Sequence, residues 1–158
     1  MFDQLPVWVQ ISVIRDFLYP EFLGSFHRLF AFPNKEIRRQ HTHYTWHDED
    51  YRAMMRQLLV NLEPRREEKD VILREEGEEW SEVIFFTKGE QAIGFELNRI
   101  KQFVLKVKGA NMVGAYGCTF DKRSYFVVKT RMVSEGYSIR KLHWKELLED
   151  FPHITHML

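Results

Sequence analysis

The sequence predicts an α+β chain with helices first, an antiparallel sheet after them and one helix at the end. Three observations predict it. Apolar residues recur at helical spacing through the first third, most clearly at Tyr51, Met54, Met55, Leu58, Leu59 and Leu62. From about residue 65 the grammar changes to short apolar runs alternating with glycine-bearing turns, roughly every dozen residues. Finally, 44% of the 158 residues are hydrophobic and 15% aromatic, enough for a core, while 29% are charged, so the surface is well solvated and disorder is disfavoured.

The elements follow in order. Pro6 stands where a first helical residue would, followed by Trp8, Val9, Ile11, Val13, Ile14, Phe17 and Leu18, and Pro20 breaks that run. A second segment carries Phe22, Leu23, Phe26, Leu29 and Phe30 at helical spacing, ended by Pro33 and Asn34. The third helix begins on Asp48, Glu49 and Asp50, charges that suit a helix N-terminus, and Pro64 is expected to close it. Strands are expected at Val71–Leu73, Val83–Phe86, Phe103–Leu105 and Tyr125–Val128, with turns at Gly77, Gly89, Gly109 and Gly117. The run Arg65 to Asp70 reads as a solvated strand edge. A last helix spans roughly His143 to Asp150.

Charge and cysteine content narrow the classes of function. Basic and acidic residues balance at 23 each, which argues against a nucleic-acid partner. Cys118 is the single cysteine, so an internal disulfide is excluded and a reducing compartment is the default expectation. No apolar run reaches the length of a membrane span, and the first residues lack the pattern of a signal peptide. The chain is expected to act as a soluble piece that does not itself insert into a membrane.

The strand half resembles a known family. Ile72-Leu73-Arg74-Glu75-Glu76-Gly77-Glu78-Glu79, followed by Glu82-Val83-Ile84-Phe85-Phe86-Thr87-Lys88-Gly89, is similar to the first strands of the cyclic-nucleotide-binding fold. Val113-Gly114-Ala115, the stretch from Ser124 to Thr130, and Ile139-Arg140-Lys141 leading to Trp144 through Pro152 resemble its phosphate-binding region, last strand and following helix. The implied architecture is an antiparallel, jelly-roll-like β-roll with N-terminal helices and a C-terminal helix. Leu5-Pro6 and the Phe22–Phe30 segment further resemble the end of the linker that joins a channel pore to such a domain. The resemblance therefore implies a voltage-gated or cyclic-nucleotide-gated cation channel, potassium channels most of all. It divides the chain into a linker-like segment, 1–47, and a nucleotide-binding-like domain, 48–158. The family's lid helix is expected to start near Leu158, which makes this chain a trimmed piece of a longer protein.

The same resemblance locates a pocket at Val113, Gly114, Ala115, Arg123 and Ser124. Binding members of the family carry a Glu that accepts from the ribose hydroxyl and, nine residues on, an Arg that pairs with the cyclic phosphate. The gapless match puts Ala115 and Ser124 at those two positions. Losing two such contacts, at about 1.5–3 kcal/mol each, weakens binding about 100- to 10,000-fold. The pocket is therefore expected to be degenerate, with no cofactor. The alternative is a working cAMP or cGMP sensor that uses Arg123, which a one-residue bulge would swing inward; on a regular strand it points away from Ser124.

Plainer readings cover the other conspicuous residues. His41, His43 and His47 read as loop histidines, because a metal site needs a fixed scaffold and a further donor. Cys118 reads as an ordinary thiol. Phe17, Phe22, Phe26, Phe30 and Phe32 read as helix packing, and Phe22, Phe26 and Phe30 are also expected to pack partly on a neighbouring subunit of an intact homotetramer. Met55 and Leu58 are expected to lie against the β-roll. No set of acid, base or metal groups for catalysis can be assembled, so the chain is expected not to be an enzyme but a regulatory domain on the cytoplasmic side of a membrane.

Overall fold

The computed structural model describes residues 1–32 and 43–155. The chain divides into two compact units: Met1–Met55 with the segment from Phe151 onward, and Arg56–Asp150.

In the first unit, α1 (Val7–Ser12) runs on into a wider π-helical stretch, Val13–Leu18, and α2 (Pro20–Ser25) follows. Pro20 does not merely break the earlier run: it is the first residue of α2, where its missing N–H costs nothing. The phenylalanines form the core of this unit. The Phe22 ring lies 5.3 Å from Phe26 and 5.8 Å from Phe30; Phe30 meets Phe32 edge-on at 6.3 Å, and Phe32 meets Tyr51 at 6.4 Å. Tyr51 donates its hydroxyl to the Phe30 carbonyl at 2.9 Å. All four phenylalanines are buried within the chain, so the expectation that Phe22, Phe26 and Phe30 also reach a neighbouring subunit is corrected. The exposed aromatics of this region are instead Trp8, at 72%, and Phe17, at 77%, which does not join the packing assigned to it.

The third helix, α3 (Glu49–Val60), has the predicted stripe: Tyr51, Met54, Met55, Leu58 and Leu59 are all buried, as is Leu62 just beyond it. The division between units falls inside this helix, with Met55 in the first and Leu58 in the second. Leu58 has no accessible surface, so Leu58→Ala is expected to leave a cavity and cost about 2–5 kcal/mol. A melting curve and urea midpoint unchanged from the parent would remove Leu58 from the core.

The second unit holds eight strands, β1 (Glu63–Glu67), β2 (Ile72–Arg74), β3 (Glu82–Lys88), β4 (Glu90–Leu97), β5 (Ile100–Lys108), β6 (Asn111–Val113), β7 (Val127–Thr130) and β8 (Ser134–Arg140). They form two antiparallel four-stranded sheets, in the orders β1-β8-β3-β6 and β2-β7-β4-β5, the architecture of the cyclic-nucleotide-binding β-roll. Val83 to Phe86 read as one apolar run because β3 lies inside its sheet and is buried on both faces; Phe85 meets Trp144 of α5 (Lys141–Asp150) at 6.3 Å. A buried polar staple ties the sheets together: Gln91 on β4 donates to the Ser134 hydroxyl on β8 at 2.8 Å and accepts from the Asn111 amide on β6. Pro64 does not close α3; it lies in β1, an edge strand, where proline is tolerated. The strand expected at Tyr125 starts instead at Val127. Among the described residues no helix is long and apolar enough to cross a membrane.

Candidate functional site

The candidate site is built around α4 (Ala115–Phe120), which follows β6 directly. Gly114 makes the junction with φ +88°, and a Cβ there would stand 2.5 Å from the Glu82 carbonyl oxygen and 2.6 Å from the Trp80 ring. Gly117, one turn on, faces the same ring and likewise has no room for a side chain. The turn expected at Gly117 is absent; the residue sits inside α4 because Trp80 occupies the space its Cβ would need. Trp80 is buried, and the Arg74 guanidinium lies over it at 5.2 Å. Sequence reasoning alone passes over Trp80. The signal that could find it is a pair of glycines close together, Gly114 at the junction and Gly117 within α4, which together leave room for a large ring.

The far end of α4 is bound to α5. Asp121 follows α4 in a left-handed conformation, and its carboxylate takes Lys141 at 2.7 Å and Lys145 at 2.5 Å. Hydrogen bonds from those two lysines hold the Asp121 carboxyl down at about 2. The Trp144 indole N–H donates to the Thr119 hydroxyl at 2.9 Å. Cys118 lies between these contacts, fully buried, and burial pushes its thiol up to about 11, so at neutral pH it is the unreactive protonated form.

A cleft of about 320 Å³ opens beside α4. Its walls include Val113, Gly114, Arg123 and Ser124, together with Trp80, Ile93, Met112, Tyr116, Tyr125 and Phe126. Four of the five sequence-predicted site residues thus share one cleft. Ala115 does not line it; it begins α4 and offers no polar side-chain atom. Ser124 is buried with its hydroxyl donated to the Phe126 carbonyl at 2.6 Å, and its backbone N–H goes to the Glu78 carbonyl at 2.8 Å. Arg123 makes an isolated β-bridge with Glu79; its side chain is 69% exposed, donates to the Gly77 carbonyl at 3.1 Å and pairs with the Glu79 carboxylate at 3.4 Å. It is the one cationic residue among those lining the cleft. Chemically this is an apolar, aromatic-rimmed recess whose cation already faces a carboxylate.

The histidines lie elsewhere. His41 falls outside the described residues; His43, with His27, Trp46 and Tyr51, lines a separate cleft of about 360 Å³ in the first unit. Among the described residues no three His, Cys, Asp or Glu side chains gather as a metal site.

No protein-family model and no curated protein sequence matches the chain. Solved structures do. A cyclic nucleotide-binding domain from Methylobacillus flagellatus is similar with a TM-score of 0.64 and 14% identity, over 88% of this chain and 70% of that one. A mutant regulatory subunit of a cAMP-independent protein kinase A from Trypanosoma brucei, bound to cAMP in its A site, gives 0.63 and 15% over 90% of this chain and 46% of that one. The corresponding regulatory subunit from Trypanosoma cruzi, bound to guanosine, gives 0.56 and 14% over 64% of this chain and 37% of that one. The chain thus spans less than half the length of either trypanosome protein. At these identities the likeness establishes the cyclic-nucleotide-binding fold, and the three neighbours are binding or regulatory domains rather than catalytic ones.

Proposed function

We propose that this chain is a cytoplasmic regulatory domain of a cation channel, potassium channels foremost, whose nucleotide pocket is degenerate. The observation that carries the degenerate pocket is the state of its one cation: Arg123 is turned to Gly77 and Glu79 at the surface, while the resemblance assigns Ser124 and Ala115 to the positions of the family's phosphate and ribose ligands, where neither offers a charged group. A cyclic phosphate entering this recess would give up hydration without gaining a charge-assisted partner. Regulation then runs through packing and subunit contacts in a homotetramer, with no role for nucleic acid. The resemblance of the N-terminal helices to a pore linker supports the channel reading. The surface those helices offer a neighbouring subunit is Trp8, Phe17 and Leu18, which are exposed, in place of the buried phenylalanines.

The alternative, a working cAMP or cGMP sensor, draws on the same Arg123, because an exposed side chain can change rotamer at little cost. Calorimetric titration of the chain with cAMP and cGMP separates the two. No saturable binding below millimolar concentration is expected. A one-to-one isotherm with micromolar affinity would overturn the degenerate reading, and Arg123→Ala would then show whether Arg123 is the phosphate ligand. Guanosine, the ligand of the Trypanosoma cruzi neighbour, belongs in the same series: it carries no phosphate and so reads the aromatic rim alone.

A further inference from the structure

The open edge of the second sheet carries an inference that the pocket does not. β5 is the outermost strand of its sheet and pairs only with β4, so nine residues of backbone present one unpaired side. A bulge at Val104 interrupts its register, leaving Leu105 to Lys108 as a regular stretch paired with Glu90 to Ile93. Alternation puts Leu105 and Val107 on one face of this stretch and Lys106 and Lys108 on the other. Neither lysine has a carboxylate partner among the described residues. Lys106 stands opposite Ala92; Lys108 stands opposite Glu90, whose carboxylate is held by Arg131 at 3.0 Å. Leu105 is more than half exposed, an apolar contact left open on the edge.

We propose that this edge accepts an acidic extended segment of a partner protein as an added strand. Backbone hydrogen bonds would extend the sheet, apolar side chains would cover Leu105 and Val107, and alternate carboxylates would meet Lys106 and Lys108. Charge selects the occupant. A second copy of β5 would bring Lys106 and Lys108 against the same two lysines, a like-charge juxtaposition that disfavours self-pairing; Lys101, farther along the strand, already pairs with Glu75 at 3.2 Å. The same lysines favour a strand of opposite sign.

The test uses the intact chain and a short capped peptide alternating valine and glutamate, followed by fluorescence anisotropy. Binding is expected to weaken with added salt, to slow amide exchange within β5, and to be weakened about tenfold by the double change Lys106→Glu, Lys108→Glu. Thermal melting verifies that this double variant is folded; should it not be, Lys106→Gln with Lys108→Gln replaces it with the same direction expected. No binding of the valine–glutamate peptide, equal binding of its valine–lysine counterpart, or binding without protection in β5 would each overturn the proposal. So would a dimer in sedimentation that the lysine changes alter, since that result assigns the edge to a second copy.

Discussion

Phe26→Glu is expected to abolish the folded state of the first unit. The ring of Phe26 is 5% exposed and rests against Phe22, which joins Phe30 and, through it, Phe32 and Tyr51 in one aromatic core. Removing a buried phenylalanine costs about 3–5 kcal/mol through lost contacts and the cavity left behind. A carboxylate put in its place must also be desolvated or protonated, and the neighbouring phenyl rings offer no donor to compensate. The sum is comparable with the whole stability of a small domain, about 5–15 kcal/mol. Near-ultraviolet circular dichroism and a thermal melt read the outcome: the aromatic signal and the cooperative transition should be lost or strongly reduced. Phe17→Glu is the control, since Phe17 is exposed and the same charge there should leave both unchanged. A cooperative melt for Phe26→Glu at the parent temperature would show that Phe26 is a surface residue and make it an interface candidate again.

Trp80→Ala is expected to cost about 3–5 kcal/mol, the range for truncating a large buried aromatic. Its particular consequence is local. Trp80 is the surface against which Gly114 and Gly117 seat α4, and its loss leaves a void no neighbouring side chain can fill, because the facing positions are glycines. The amides of α4 should then exchange much faster than those of β3 and β8, which keep their ladder. Trp80→Phe, which retains a ring against the glycines, should recover most of the loss. Stability equal to the parent for Trp80→Ala, with α4 protection unchanged, would mean that α4 is held by its ties to α5, at Asp121 and Thr119, instead.

The cleft beside α4 depends on the same contacts. If α4 is rigidly seated on Trp80 and tied to α5, the recess beside it keeps its shape without a ligand, as a structural element of the roll would. The regulatory domain proposed above would signal from its surfaces, and the two proposed for it, the sheet edge at β5 and the exposed Trp8 and Phe17, belong to separate units.

Much of this molecule is legible in the order of its residues. Helical periodicity is a local property, so the stripe from Tyr51 to Leu62 is enough by itself to identify α3 and its buried face. The continuous apolar run at Val83–Phe86 likewise announces a strand covered on both faces, and Gly77, Gly89 and Gly109 announce turns at positive φ. Other elements leave little trace because their pattern depends on distant partners. β4 carries Glu90 and Glu96, and β8 carries two serines and a glutamate; each is a strand because another strand pairs with it, not because its own residues alternate, whereas the charged run at β1 is readable as a strand edge. Tertiary structure alone decided three further points. It put the phenylalanines of the N-terminal helices inside, since burial is a matter of what surrounds a stripe and a stripe looks the same against a core or a partner. It placed Trp80, far from α4 in sequence, against two glycines that read in the sequence as a pocket residue, Gly114, and a turn, Gly117. And it supplied the partners of Arg123, Gly77 and Glu79, which are distant in sequence; alternation along the strand predicts only that Arg123 points away from Ser124.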